Sequence, residues 1–310
     1  MGSAPSGRAA VHEETPERRL YGFGLLGISA FLLSLMGVLV RLAKTATTLT
    51  ASQVTFVRFA LGTLAIGGYV LKRRHRVHVQ NRGWWVARGL FGGYGAYTFF
   101  YAITEIGLAK ATILNSTYSL WAAALAPIVL KERPSLRLYL AVGVAFWGTY
   151  LLIVPPIGWG GVAPPDLVAL SGGLSGGLAL LCIKRLSATE SPAMIYLSFA
   201  LAGMAVSAPG ALQTTLVLSW AAWGIMAAVG VADISSKLLS AYAFRYVSGT
   251  EGALWALMTP VLNAIFGVLL FREPFSGRLA LGSGLVLLAC GYAAWAGRRR
   301  GEPPPQGVPG

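Results

Sequence analysis

The 310-residue chain is 55% hydrophobic and 12% charged, with a mean hydropathy of +0.63. Soluble domains carry about 25% charged residues, so this composition excludes a water-facing enzyme, a disordered regulator and a nucleic-acid module. The net charge of +14 follows from where Lys and Arg sit along the chain and needs no polyanionic partner.

Residues 1–19 are charged and lack the apolar core of a cleavable signal, which predicts a cytoplasmic N-terminal tail. Crossing roughly 30 Å of hydrocarbon takes about 20 apolar residues in a helix. Ten such spans are predicted, at 21–43, 52–71, 84–104, 109–130, 136–154, 165–183, 192–212, 220–243, 250–271 and 277–297. Loops are short, with turn formers such as Pro155-Pro156. The tail 298–310 opens with three arginines and becomes Pro/Gly-rich, reading as disordered and cytoplasmic. With the N-terminus inside, the cytoplasmic segments hold 17 Lys and Arg and the outer loops four: Lys44, Lys110, Arg272 and Arg278. That bias places both termini in the cytoplasm of an inner-membrane protein.

Polar residues inside the spans are the candidates for function, because lipid offers them no partners. Arg41 ends the first span as an edge residue. Arg58 lies a third of the way into the second, where it could hold a substrate carboxylate or satisfy backbone carbonyls. Arg88, behind Trp84-Trp85, reads as an interfacial anchor. Tyr94, Tyr97 and Tyr101 share one side of the third span, and Thr112, Asn115, Ser116, Tyr118 and Ser119 mark the fourth. Both faces are predicted to look inward. In the eighth span Asp233 and Lys237 stand at i and i+4, close enough to pair, with Ser236 and Ser240 on the same face. The pair reads either as a packing salt bridge or as charges lining a cavity. Trp255, Thr259 and Asn263 form a stripe in the ninth span, where Pro260 frees a carbonyl one turn back. Gly173-Leu174-Ser175-Gly176-Gly177 matches a serine-hydrolase elbow, but His12, His75 and His78 all lie in polar stretches, so no membrane-embedded base exists for Ser175. Small-residue packing explains that run and Gly89–Gly93 better. Cys182 and Cys290, inside apolar runs, read as buried hydrophobes. No metal, dinucleotide or P-loop fingerprint is present, so neither a cofactor nor enzymatic activity is expected.

The chain also repeats itself. Residues 101–140 align without a gap on 242–281 at an offset of 141: Tyr101 meets Tyr242, Glu132 meets Glu273, Ser135 meets Ser276 and Arg137 meets Arg278. Five helices per copy is an odd number, so the second copy enters from the opposite side. Inverted repeats of this kind build transporters around a midplane site.

At these residues the sequence resembles the EamA-type members of the drug/metabolite transporter superfamily. The resemblance is carried by VTFVRFALG (54–62), by the acidic turns LKERPS (130–135) and LFREPFS (270–276), and by TPVLNAIFG (259–267). It implies an all-α membrane protein of ten transmembrane helices in two inverted five-helix repeats, at 20–155 and 165–297. It also implies a cavity between helices 1–4 and 6–9, buttressed by helices 5 and 10, with Glu132 and Glu273 as helix-end caps. One departure is Ser119, which stands where the second half has Pro260. The function implied is secondary transport of a small polar or amphipathic, amino-acid-like metabolite by alternating access. Membrane lipids are neighbours, a proton or ion is the candidate coupling partner, and nucleic acid is not a partner. A flippase or scramblase of lipid headgroups is the alternative.

Overall fold

The computed structural model describes residues 16–46, 49–72, 79–106, 111, 114–153, 163–213, 220–272 and 277–299. These residues form helices α1 (Pro16–Ala46), α2 (Ala51–Lys72), α3 (Arg82–Ile106), α4 (Tyr118–Val129), α5 (Leu136–Ile153), α6 (Pro164–Ser187), α7 (Pro192–Leu212), α8 (Trp220–Ala243), α9 (Gly249–Ala256), α10 (Met258–Phe271) and α11 (Gly277–Arg299). There is no strand among them. Among the described residues, seven segments are long and apolar enough to cross a membrane: all of α6 and α7, parts of α1, α2, α8 and α11, and Gly249–Phe271, which joins α9 to α10. The third, fourth and fifth predicted spans are not among the seven: the fourth lies partly outside the described residues, and the fifth contributes the shorter apolar stretch Leu136–Leu151. Two tryptophans, three tyrosines, five glycines and Arg88 dilute the hydropathy of α3.

Helix ends follow from local chemistry. Pro16 begins α1, four residues inside the predicted tail, because a proline at the first turn gives up no hydrogen bond. Ser191 caps α7, its Oγ accepting from Met194 N ahead of Pro192. Asp166 Oδ2 accepts from Ala163 N at 2.8 Å to start α6. At α9 a full capping box forms, with Ser248 Oγ accepting from Glu251 N and Glu251 Oε2 accepting from Ser248 N at 2.9 Å.

The fourth and ninth spans are both interrupted, at Thr117 and Leu257. In the ninth, Pro260 removes an amide donor and Leu257 N turns back to Leu254 O. In the fourth, no proline is needed. Thr117 Oγ1 donates to Leu114 O at 2.6 Å and Ser119 Oγ to Ser116 O at 3.0 Å, so hydroxyls compete for the carbonyls. The departure at Ser119 therefore still yields a broken helix at the same level.

Packing pairs the helices in matching ways. α3 lies along α6 and α8 along α1, while α2 faces α7 and α5 faces α11. Glycines make the close crossings. A Cβ at Gly177 would lie 2.8 Å from Trp121 Cβ, at Gly89 2.9 Å from Ser198 O, and at Gly148 2.7 Å from Gly282 O. Ser175, at the hydrolase-like run, is buried and donates to Phe91 O at 2.8 Å, a packing contact.

One end of the bundle is tied by polar contacts among the segments predicted to be cytoplasmic. Arg19 meets Glu251 at 2.7 Å. Lys184 Nζ donates to Phe244 O and Val247 O at 2.9 and 2.6 Å. Arg245 donates to Ser187 O and Glu190 O, and Asn81 N to Glu190 Oε1. Glu132 accepts from Gly249 N at 2.7 Å, so it caps the start of α9, across the bundle from the helix whose end it follows. Its repeat partner Glu273, together with the three histidines and Thr112, lies outside the described residues.

Candidate functional site

A cavity of about 410 Å³ opens between α1, α3, α6, α7 and α8 and the two broken spans. Its lining follows the sequence repeat. Gly95, Ala96 and Phe99 of α3 line it, as do Ser236, Lys237 and Ser240 of α8, each at the offset of 141. Asn115 and Tyr118 do so beside the Thr117 break, and their repeat partners Ala256 and Thr259 beside the Leu257 break. Discontinuous helices that face a cavity expose backbone and side-chain polar groups where a ligand can use them.

Of the predicted site residues, Asn115, Tyr118, Lys237, Trp255 and Thr259 line this cavity. The others stand elsewhere. Tyr94 and Tyr97 are 46% and 53% exposed, on the outer surface of α3. The expectation that their side of α3 looks inward is corrected. Arg88, Gly92, Gly95, Ala96 and Phe99 form the inner stripe, and Tyr97 sits half a helical turn away from it. The Tyr94 hydroxyl finds Ser171 Oγ at 2.9 Å instead of an inward partner. Asn263 is exposed, and its Oδ1 accepts from Ser34. Arg58 is also off the cavity, over the Phe59 ring at 4.5 Å, with Nη1 3.5 Å from Met36 Sδ. No residue of α2 lines the cavity, because its inner face is filled by Phe59 against Gly203 and by Gly62 against the Tyr196 hydroxyl. For Arg41, the side chain lies outside what is described.

Asp233 and Lys237 do not form the expected ion pair. Among the described residues, the Asp233 carboxylate has Tyr196 as its donor, at 3.4 Å to Oδ2, while Oδ1 has no partner. Lys237 instead reaches the cavity, with Nζ 5.9 Å from the Phe199 ring centroid. Neighbours at i and i+4 share a face of the helix, but Tyr196 from α7 and Phe199 take the two side chains in different directions.

Arg88 is corrected more sharply. It is no interfacial anchor: only 5% exposed, it lines the cavity with its guanidinium 4.5 Å over the Phe199 ring. The local reason is Gly92, one turn on, where a Cβ would collide with the Arg88 guanidinium and come 2.7 Å from Phe199. An arginine followed by glycine at i+4 can fold along its own helix, and that spacing was the signal available in the sequence. Tyr196 carries no such signal, since no pattern marks it within an apolar helix. No group of three or more His, Cys, Asp or Glu suited to a metal occurs among the described residues.

The EamA-like transporter family matches residues 20–154 and again 163–294. The pseudopaline exporter CntI of Pseudomonas aeruginosa is 29% identical over 272 residues, covering 87% of this chain and 94% of its own, in strains UCBPP-PA14 and PAO1 alike. A solved crystal structure, 20% identical, covers 91% of this chain and 99% of its own with a TM-score of 0.75, a likeness of fold. The chain belongs to the EamA-like transporter family, and it is a multi-pass transmembrane transporter.

Proposed function

We propose that the protein is a secondary transporter carrying a small polar or amphipathic metabolite out of the cell by alternating access at this cavity. The observation that carries the reading is a cavity of about 410 Å³, largely apolar but with Arg88, Lys237, Asn115 and Thr259 on its wall, framed by two interrupted spans. That volume falls in the range of small-molecule sites. The outward direction is supported by similarity to the pseudopaline exporter.

The architecture behind this reading is ten spans in two inverted halves. Support comes from the doubled family match, from the matched helix pairing and from lining residues that recur at the repeat offset. Orientation in the inner membrane with both termini cytoplasmic rests on the Lys and Arg bias. Coupling to a proton or ion gradient supplies the driving force. Asn115, Tyr118, Lys237, Trp255 and Thr259 contact the substrate, and Arg88 joins them. Arg58 and Asp233 act from behind this lining, whereas Tyr94, Tyr97 and Asn263 serve packing.

Reconstituted proteoliposomes test the function. Accumulation of solutes from a radiolabelled metabolite pool, driven by an imposed proton or sodium gradient, and their counterflow against a preloaded unlabelled pool, are the expected results. Movement of fluorescent lipid between leaflets with no soluble solute crossing would instead make the protein a flippase.

A further inference from the structure

Four ionisable side chains lie together in the middle of the bundle, and their formal charges do not balance. Arg58, Arg88 and Lys237 surround two packed rings, Phe59 and Phe199, whose centroids are 4.9 Å apart. Arg88 and Lys237 sit on the same ring, Phe199, and both line the cavity. Asp233 is the only carboxylate within electrostatic reach of Arg88 and Lys237 among the described residues, and it does not itself line the cavity. Among the described residues, the lining contains no Asp or Glu.

A low-dielectric interior makes uncompensated charge expensive. Aromatic faces recover only part of the hydration that each buried cation loses. Moreover, Arg88 is 95% buried by the complement of its 5% exposure, and its Nε has no partner among the described residues. A donor of that strength, left open beside a cavity, calls for an acceptor from outside the chain.

We infer that the transported substrate is an organic anion whose carboxylate is bound between Arg88 and Lys237, with Asp233 as the resident counter-ion that weakens this binding enough for release. The inference rests on reading the cavity as the transport site, and it names the substrate class. The guanidinium offers the carboxylate a fork of N–H donors, and the ammonium adds a point charge. The rest of the molecule lies along Phe99 and Trp255. Removing Asp233 leaves the site more positive, so anion affinity rises when this acid is lost. A carboxylate that bound substrate directly would have the opposite effect.

The test uses the full-length protein purified in a non-ionic detergent. Thermal unfolding is followed at constant ionic strength with three five-carbon probes: glutarate, 1,5-pentanediol and 1,5-diaminopentane. Glutarate alone is expected to raise the melting temperature. Arg88→Met and Lys237→Met each raise its half-saturating concentration about tenfold or more, the worth of one charge-assisted hydrogen bond, and Asp233→Asn lowers it. Should Arg88→Met fail to fold, Arg88→Lys keeps the charge without the fork and is expected to respond at higher glutarate. Stabilisation by the diamine as strong as that by glutarate, no response to glutarate, or weaker glutarate binding in Asp233→Asn would overturn the assignment. Stabilisation by nanodiscs rich in phosphatidylglycerol, with no effect of glutarate, would assign the anion site to lipid and likewise overturn it. Transport itself is read separately by counterflow, so loss of the anion assignment leaves that reading standing.

Discussion

Arg19 Nη2 donates to Glu251 Oε1 at 2.7 Å, joining the first turn of α1 to the first turn of α9 across 232 residues of sequence. Both side chains are buried, at 9% and 4% exposure. Glu251 also closes the capping box with Ser248, so one carboxylate ties the two halves together and starts a helix. Breaking a buried pair by removing one partner costs about 3–5 kcal/mol, mostly from the charge left behind. Arg19→Met and Glu251→Gln are each expected to lower the melting temperature by several degrees. The double variant should be less destabilised than the sum of the two. Additive losses in a double-mutant cycle would mean that the pair contributes nothing as a pair.

Lys131 and Arg272 are the two non-glycine residues with positive φ among the described residues, at 56° and 53°. They occupy the same repeat position at the ends of the two broken spans. Each terminates its helix in the left-handed region, which costs a side chain about 1–2 kcal/mol. A cation there offsets part of the cost by facing the negative end of the helix dipole. Replacing Lys131 by Gly is expected to leave stability unchanged or raise it by up to about 1 kcal/mol. Lys131→Val, branched and uncharged, should lose about 1–2 kcal/mol. If both variants lost equally, the backbone conformation would not be the reason for their behaviour.

Gly177 and Gly224 separate packing from helix propensity. A methyl at Gly177 would meet Trp121 Cβ at 2.8 Å, Tyr118 O at 2.9 Å and Ala122 N at 3.0 Å. Two of these are backbone atoms that cannot swing aside, so Gly177→Ala is expected to cost about 1–3 kcal/mol. At Gly224 nothing lies within 4 Å. There alanine should stabilise by about 0.5–1 kcal/mol through helix propensity alone. Equal melting temperatures for the two variants would contradict the close α4–α6 crossing.

The helices, their order and the repeat register were legible because apolar runs of membrane length and an offset shared by Glu132 and Glu273 need no tertiary information. The inner face of α3 was not legible from hydrophobicity. Its three tyrosines are the most polar-looking stripe in the helix, yet amphipathic rings are as much at home facing lipid or its headgroups as facing a cavity. Arg88 looked like an anchor because it follows two tryptophans, and only the space left by Gly92 draws it inward. The pairing of Asp233 with Lys237 failed for a different reason. Spacing says which residues share a face, and it is α7, through Tyr196, that decides where the carboxylate turns. In register the two halves are alike, but charge breaks the likeness: Lys237 matches Ala96, Arg88 matches Val229 and Asp233 matches Gly92.

Membrane orientation can be tested with the chain's own cysteines in place. Cys182 and Cys290 are each 1% exposed, so they give little background to a membrane-impermeant maleimide. In intact cells Gly161→Cys is expected to label from outside and His75→Cys only after permeabilisation, as the Lys and Arg bias requires. Labelling of position 75 in intact cells would invert the proposed orientation.

Tyr196 gives the sharpest separation between structure and transport around Asp233. Its hydroxyl is the donor to Asp233 Oδ2 at 3.4 Å, and Tyr196 lines the cavity where Asp233 does not. Tyr196→Phe removes that donor from a carboxylate that is 1% exposed, which should cost about 1–3 kcal/mol for an unsatisfied buried group. Asp233→Asn in the same background removes the charge that needed the donor, so the pair of substitutions should recover much of the loss. Lys237 makes no ion pair with Asp233, so Asp233→Asn/Lys237→Met is not expected to behave as the repair of a broken salt bridge. It should fold with near wild-type stability and still fail in counterflow, because the ammonium facing the cavity is gone. Wild-type counterflow rates in that double variant would show that Lys237 faces the cavity without serving it.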